Sequence, residues 1–265
     1  MYERKDQETV LEIRNLSVDF QQGKTHKPVV QQLSLTVRRS EIVVLLGESG
    51  CGKTVTASTV MGLTPRNAVV TGGEILLGGE DLLKLSERQL CRLRGNRMGM
   101  IFQDAPNSLN PLLTVGTLVE ETILAHGVRS KSNARKEAEE LLRRMQLPDP
   151  EKLLKAHPYE LSGGMCQRVM IAIAMARNPD LLLADEPTTA LDVTIQAGIL
   201  QEICRMAKSF RTGVLFITHD LGIAAEIADY IYVMRSGSIV DQGTAEKIFR
   251  KPSHPYSKQL IDSIF

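Results

Sequence analysis

Residues 47–54 read Gly-Glu-Ser-Gly-Cys-Gly-Lys-Thr, a full match to the spacing Gly-x-x-x-x-Gly-Lys-Ser/Thr. The run follows a short apolar stretch, Glu41 to Leu46, that reads as a buried parallel strand. It precedes a helical pattern from Gly52 to about Leu63, which Thr64-Pro65 ends. A strand, a tight glycine loop and a helix start leave the chain little freedom here. Gly47, Ser49, Gly50, Cys51 and Gly52 form a loop whose backbone can wrap closely around an anion, because a Cβ at the glycines blocks the needed dihedrals. Amide groups at the helix N-terminus favour phosphate. Lys53 can then reach the β- and γ-phosphates of a nucleotide, and the Thr54 hydroxyl can ligate Mg²⁺.

A second feature complements the first. Leu181 to Ala184 is a buried apolar strand that ends in Asp185 and Glu186. Two acids at the end of a buried strand are costly unless a cation or a proton transfer uses them. Asp185 suits the Mg²⁺ shell, and Glu186 suits polarising an attacking water as general base.

The rest of the chain supplies an α/β frame. Val10 to Phe20 and Val29 to Val37 alternate as strands, with a polar turn expected from Gln21 to Pro28. Glu74 to Leu77 begins a hairpin at Gly78-Gly79, and Met98 to Gln103 is a short strand. Thr117 to Gln146 is helical and heavily charged, Pro148, Pro150 and Pro158 interrupt it, and Ser162 to Arg177 is a long helix. Val214 to Thr218 is a buried strand, and Ile231 to Met234 with Ser238 to Val240 forms a hairpin around Gly237. The sum is an α/β core with a helical insertion near residues 104–177. Arg88 to Arg97 reads as a solvated face, and Arg135 to Arg144 as an exposed helix with i,i+4 ion pairs.

Composition narrows the function. A formal net charge of +1 over 265 residues argues against a dedicated nucleic-acid binder. Cys51, Cys91, Cys166 and Cys204 form no C-x-x-C pair, so a reducing compartment without disulfides or zinc is expected. Met1 to Thr9 is charged and lacks the apolar stretch of a signal peptide. No apolar run is long enough to span a bilayer, so any membrane role is expected to be peripheral.

Between the two halves lies Leu161-Ser162-Gly163-Gly164-Met165-Cys166-Gln167-Arg168, which resembles the signature motif of ABC-type transport ATPases. Other pieces match in order. Gln103 resembles the family's Q-loop glutamine, Ala190-Leu191-Asp192 its D-loop, His219 its switch histidine, and Phe20 the aromatic residue that stacks on adenine. The resemblance covers nearly the whole chain. It implies a P-loop NTPase (RecA-like) core with an antiparallel β subdomain and an inserted α-helical subdomain. It also implies that two ATPase subunits sandwich two ATP molecules head to tail. Ser162, Gly163 and Gly164 of one subunit would cap the γ-phosphate held by the other, and Asp192 is carried over as nucleotide-binding. Glu186, His219 and Gln103 are carried over as catalytic. Thr54, Gln103 and Asp185 are carried over around Mg²⁺. Met165 stands where the commonest signature has Gln, a variant that resembles the peptide/nickel importer branch. His254-Pro255-Tyr256-Ser257-Lys258-Gln259-Leu260 is similar to a segment near the C-terminus of that branch.

The resemblance implies two membrane-spanning permease subunits, a second ATPase subunit (a related chain or a second copy) and, indirectly, a substrate-binding protein outside the membrane. It implies a peripheral place on the cytoplasmic face. Asn107, Ser108, Leu109 and Asn110 are candidates for the surface facing the permease. A thiol reagent at Cys51 is expected to collide with bound phosphates. The cargo stays open among nickel, metal–chelator complexes, dipeptides and oligopeptides, since specificity in this architecture belongs to other subunits. Two other readings fit less well. A non-transport ABC ATPase of the DNA-repair type separates its motifs by long coiled coil, and one of the ribosome-associated type carries two cassettes; this chain has one cassette with no sustained heptads. A small-molecule phosphotransferase leaves residues 161–168 and His219 unexplained.

Overall fold

The computed structural model describes residues 8–23, 25–127, 130–189 and 191–262. Met1 to Gln7, most of the Met1 to Thr9 stretch read above as lacking the apolar run of a signal peptide, lie outside them, as does Ala190 of the Ala-Leu-Asp run. β1 (Thr9–Gln22), β2 (Thr25–Arg38), β4 (Ala68–Leu77) and β5 (Glu80–Asp81) form an antiparallel sheet in the order β2-β1-β4-β5. β3 (Ile42–Leu46) joins β6 (Met98–Ile101), β7 (Leu181–Asp185), β8 (Gly213–Thr218), β9 (Tyr230–Arg235) and β10 (Ser238–Thr244) in a second sheet, ordered β10-β9-β3-β8-β7-β6. Its strands run parallel except for β10, which pairs antiparallel to β9 at the edge.

The period of two in β3 explains the layering. Val43 and Leu45 pack with Leu11, Ile13, Leu33 and Val37 of the antiparallel sheet. Ile42, Val44 and Leu46 point the other way, into the layer formed by the helices. Every residue of β3, β7 and β8 is buried, which is why these segments are almost continuously apolar.

The glycine loop leads into α1 (Lys53–Val60). That helix stops short of the expected Leu63, because Gly62 adopts φ +64 and turns the chain away. α2 (Glu87–Leu93) precedes β6. Between β6 and β7 lie α3 (Ala105–Ser108), α4 (Val115–Ala125), α5 (Lys131–Arg144), α6 (Pro150–Leu153) and α7 (Gly163–Met175). The charged stretch read as one pattern from Thr117 to Gln146 is thus two helices, separated where Gly127 takes φ +113. α5 buries Ala134, Ala138, Leu141 and Leu142 on one face and pairs Arg143 with Glu139 and Arg144 with Glu140 on the other. α8 (Val193–Phe210), α9 (Leu221–Ile227), α10 (Ala245–Arg250) and α11 (Pro255–Asp262) complete the chain. Among the described residues no helix is long and apolar enough to cross a membrane.

Two expectations change. The polar turn from Gln21 to Pro28 is strand almost throughout: Phe20 pairs with Lys27 and Gln21 with His26. The backbone ladder continues past the buried residues, so the polar end of the hairpin carries no apolar signal. The arginines before β6 are not simply a solvated face. Arg94 donates to the carbonyls of Met61 (2.8 Å) and Gly62 (3.0 Å), tying α2 to the end of α1. Arg97 Nε bonds Asp180 Oδ2 at 2.8 Å, while Arg39 Nη1 bonds Oδ1 of the same carboxylate at 3.0 Å.

Asp180 therefore connects β6 to the end of β2. Burial pushes its pKa up, but the bonds from Arg97 and Arg39 outweigh burial and hold it below the usual carboxylate range. Its folded pKa is depressed, so its contribution is present above the unfolded value of about 3.9 and is lost as pH falls through the folded one. Asp180→Asn is expected to destabilise the fold by about 1–2 kcal/mol at pH 7. The gap to wild type is expected to narrow below about pH 4. Thermal melts at the two pH values check this; a gap independent of pH rules out the ion pairs as its source.

Candidate active site

The loop between β3 and α1 is shaped by what surrounds it. A Cβ at Gly47 would sit 2.3 Å from the Met234 carbonyl oxygen and 2.9 Å from Cys51 Sγ. At Gly52, with φ +110, a Cβ would meet the Val29 carbonyl oxygen at 2.8 Å. Only glycine fits either place. The loop is tied from behind: Gly237 N–H, in the β9–β10 turn, donates to the Cys51 carbonyl at 3.0 Å, and Gln31 N–H of β2 donates to the Gly237 carbonyl at 2.8 Å. The Gln31 side chain adds a bond to the Ser236 carbonyl at 3.0 Å.

Lys53 is 4% exposed. Its ammonium donates to the carbonyls of Gly47 (2.8 Å) and Glu48 (2.9 Å), so it is held at the centre of the loop. The cleft above has a volume of about 340 Å³ and is lined by Phe20, Val29, Ser49, Gly50, Gly52, Lys53, Thr54, Val55, Gln103 and Glu186. That size suits a nucleotide-scale ligand. Sequence reasoning missed Val29 and Val55, whose apolar side chains give no chemical signal. Cys51 corrects an expectation. It is buried within the loop, and burial pushes its thiol pKa up, so both access and thiolate supply work against its attack on a thiol reagent.

Asp185 ends β7 and is 4% exposed. Burial raises its pKa, the Thr54 hydroxyl bond and the Lys53 charge oppose that, and the neighbouring Glu186 adds to it. Thr54 Oγ1 donates to Asp185 Oδ1 at 3.2 Å. A hydroxyl and a buried carboxylate side by side fit Mg²⁺, which takes oxygen ligands from one or two carboxylates and otherwise from substrate phosphates and water.

Glu186 follows in the left-handed region, at φ +44, where a non-glycine residue is strained. The bond from its N–H to the Ile217 carbonyl, at 2.9 Å, helps to hold it there. The side chain gathers three partners. Gln103 Nε2 donates to Oε2 at 3.3 Å, Thr189 Oγ1 donates to Oε2 at 3.2 Å, and His219 Nδ1 lies 3.0 Å from Oε1. Residues from β7, β8's end and the loop after β6 thus converge on one carboxylate. Thr189 was missed; its only sequence signal is its place three residues after Glu186 in a turn.

The remaining motif residues lie apart from the Phe20–Lys53 cleft. Ser162 caps α7, its hydroxyl accepting from Met165 N–H at 3.3 Å. Gly163 is exposed, whereas Gly164 is buried where a Cβ would lie 2.8 Å from Ile195 Cγ2. Asp192 caps α8 by accepting from Ile195 N–H at 3.0 Å. The α7 tip and the α8 start therefore meet on Ile195. Gln103 and Gly163 both line a second cleft of about 330 Å³, so Gln103 borders both clefts. Within one chain, Ser162, Gly163, Gly164 and Asp192 do not line the lysine cleft.

Comparisons with known proteins identify the family. The family model described as ABC transporter matches residues 30–189. A probable peptide ABC transporter ATP-binding protein of Sinorhizobium fredii is 45% identical over 96% of this chain and 76% of its own length. An oligopeptide transport ATP-binding protein of Bacillus subtilis is 44% identical over 97% of this chain and 78% of its own. Among solved structures, a dimeric ATP-binding cassette in a post-hydrolysis state with ADP and Pi aligns with a TM-score of 0.79 at 28% identity, covering 89% of this chain and 98% of that one. The glycine loop, the strand-end carboxylates and the capped α7 tip sit on a chain that belongs to the ABC transporter family, as a subunit that binds and hydrolyses ATP.

Proposed function

We propose that this chain is an ATPase subunit of an ABC importer whose cargo is peptides. The observation that carries the cargo is the run of relatives named for peptide, dipeptide or oligopeptide transport, 41–45% identical over 96–97% of this chain. Those names favour peptides over nickel. The non-transport reading draws no support from them.

In this reading Gly47 to Gly52 cradle the phosphates and Lys53 turns from its two carbonyls towards the β/γ-phosphate oxygens. Thr54 and Asp185, with the amide oxygen of Gln103, would hold Mg²⁺. When bound, that ion neutralises developing charge on the phosphate oxygens. Glu186 accepts a proton from the water that attacks the γ-phosphate. Gln103, Thr189 and His219 hold its carboxylate in place meanwhile. Phe20 offers its ring to adenine from the far wall. The α7 tip, with Ser162, Gly163 and Gly164, together with Asp192, closes on the nucleotide of a second ATPase subunit, and the separation of these residues from the lysine cleft supports that division of labour. The helices within residues 104–177 carry the closure to two permease subunits, with Asn107, Ser108, Leu109 and Asn110 towards them. A binding protein outside delivers the cargo, and this chain sits peripherally on the cytoplasmic face.

Deleting the gene is expected to abolish uptake of labelled di- and oligopeptides. The wild-type copy restores it, and a Glu186→Gln copy does not. Unchanged peptide uptake together with lost nickel uptake moves the cargo to the metal.

A further inference from the structure

The C-terminal end of α5 carries an arrangement that the scheme above leaves unused. A helix end leaves its last four carbonyls without partners inside the helix. Two of them are satisfied by the chain itself as it turns at Gln146, where φ is +54. Leu147 N–H donates to the Leu142 carbonyl at 3.2 Å, and Gln146 N–H to that of Arg143 at 3.0 Å. The next two accept from two other helices. Arg205 Nη2 of α8 reaches the Arg144 carbonyl at 3.1 Å, and Arg168 Nη1 of α7 reaches the Met145 carbonyl at 2.8 Å. Two guanidinium groups thus sit on the negative end of the α5 dipole.

The same two helices, α7 and α8, begin at the residues that stand apart from the lysine cleft. Ser162 and Gly163 at one start and Asp192 at the other are exposed. These starts meet through small contacts. Gly164 lies against Ile195, and a Cβ at Gly163 would sit 3.8 Å from Leu191 Cδ2. Apolar contact of this kind has no direction in it, so a helix can roll or slide over it. A charge-assisted bond to a fixed carbonyl is directional. Arg168 makes that bond six residues after Ser162, within two turns of the tip. Its guanidinium also lies against α8, where a Cβ at Gly198 would come within 3.3 Å of Nη2. One half-buried side chain therefore joins α5, α7 and α8.

We propose that Arg168 is a positioning residue for the α7 tip. By fixing α7 to the end of α5 and against α8, it sets where Ser162 and Gly163 stand relative to Asp192, and hence how that surface fits the γ-phosphate held by a second copy of this chain. It does not line the lysine cleft of its own chain. Misplacing reacting groups by about 1 Å costs about a hundredfold, so even a small roll of α7 shows in closure while binding within the subunit is unaffected.

The proposal rests on the reading of the α7 tip as closing on another subunit's nucleotide, and the two can fail separately. Glu186→Gln protein is compared with Glu186→Gln/Arg168→Met and Glu186→Gln/Arg168→Lys by analytical ultracentrifugation with ATP at low temperature. Arg168→Met keeps the apolar stem and removes the donors. It is expected to raise the dimer Kd about tenfold, and Arg168→Lys to stay within about threefold of the parent, because an ammonium can still donate to the Met145 carbonyl. ATP affinity of the monomer, measured by calorimetry, is expected to stay within about twofold in both. Asp180→Asn in the same background controls for stability: it lowers the melting temperature without touching α7 and is expected to leave the dimer Kd unchanged. An unchanged dimer Kd in Arg168→Met overturns the proposal. So does an equal rise in Asp180→Asn, which makes the effect one of general stability, or an Arg168→Lys variant as weak as Arg168→Met, which removes the bond as the cause. If the Glu186→Gln parent itself stays monomeric with ATP, the reading of the tip fails and the proposal falls with it.

Discussion

Glu186→Gln is expected to bind ATP within about twofold of wild-type affinity and to lose at least about a hundredfold in turnover. The substitution is nearly isosteric. The Gln amide oxygen can still accept from Gln103 and Thr189, which reach Oε2 at 3.3 and 3.2 Å. What disappears is the capacity to take a proton from water, and general-base catalysis by a positioned side chain is worth roughly 10²–10⁴ in rate. In the proposed function binding rests on Lys53 and the glycine loop, which the substitution leaves untouched. ATP then stays uncleaved between subunits, and a closed dimer accumulates that size-exclusion chromatography resolves from the open form. Wild-type turnover in this variant removes Glu186 as the base. His219 gives a control: it contacts the other oxygen, Oε1, so His219→Ala disturbs the carboxylate's orientation while leaving its basicity in place.

Lys53→Ala has the second large effect, on the binding step. The ammonium is almost fully buried and held by two backbone carbonyls. Turning it to a phosphate exchanges neutral acceptors for anionic ones, and charge-assisted bonds are roughly twice as strong. Removing one partner of a buried charge pair costs about 2–5 kcal/mol, so Kd for ATP is expected to rise about thirtyfold or more. Calorimetric titration checks this, with the melting temperature of the nucleotide-free protein as control, since the Gly47 and Glu48 carbonyls lose their donor. Unchanged affinity contradicts a cradle built around Lys53.

Both predictions concern residues that local sequence makes legible. The glycine loop is set by its own dihedral needs and by the strand and helix on either side, so residues 47–54 announce themselves within a short window. The buried strands are legible for the same reason: burial on both faces demands apolar residues at every position, as in Ile42–Leu46. Features that depend on distant partners were not legible. Asp180 and Arg97 are 83 positions apart, and neither neighbourhood hints at the other. The run His254 to Leu260 is read only through its resemblance, and nothing local marks α11, whose start Asp241 holds from β10. α8 is a different kind of omission. Ile199, Leu200, Ile203, Met206 and Ala207 are spaced at three and four residues and buried, a helical signal that was present in the sequence. The α7 tip was legible as a capped helix start, but its position away from the lysine cleft follows from packing on Ile195, which no spacing encodes.

The bonds from Gln31 to Gly237 and from Gly237 to Cys51 have one further consequence. They join the antiparallel sheet, which carries Phe20 and Val29, to the back of the glycine loop through main-chain atoms alone. The aromatic wall and the anion cradle cannot drift apart independently. The opening between them resembles a fixed-jaw gauge, its width set by main-chain spacing that side-chain substitution leaves untouched.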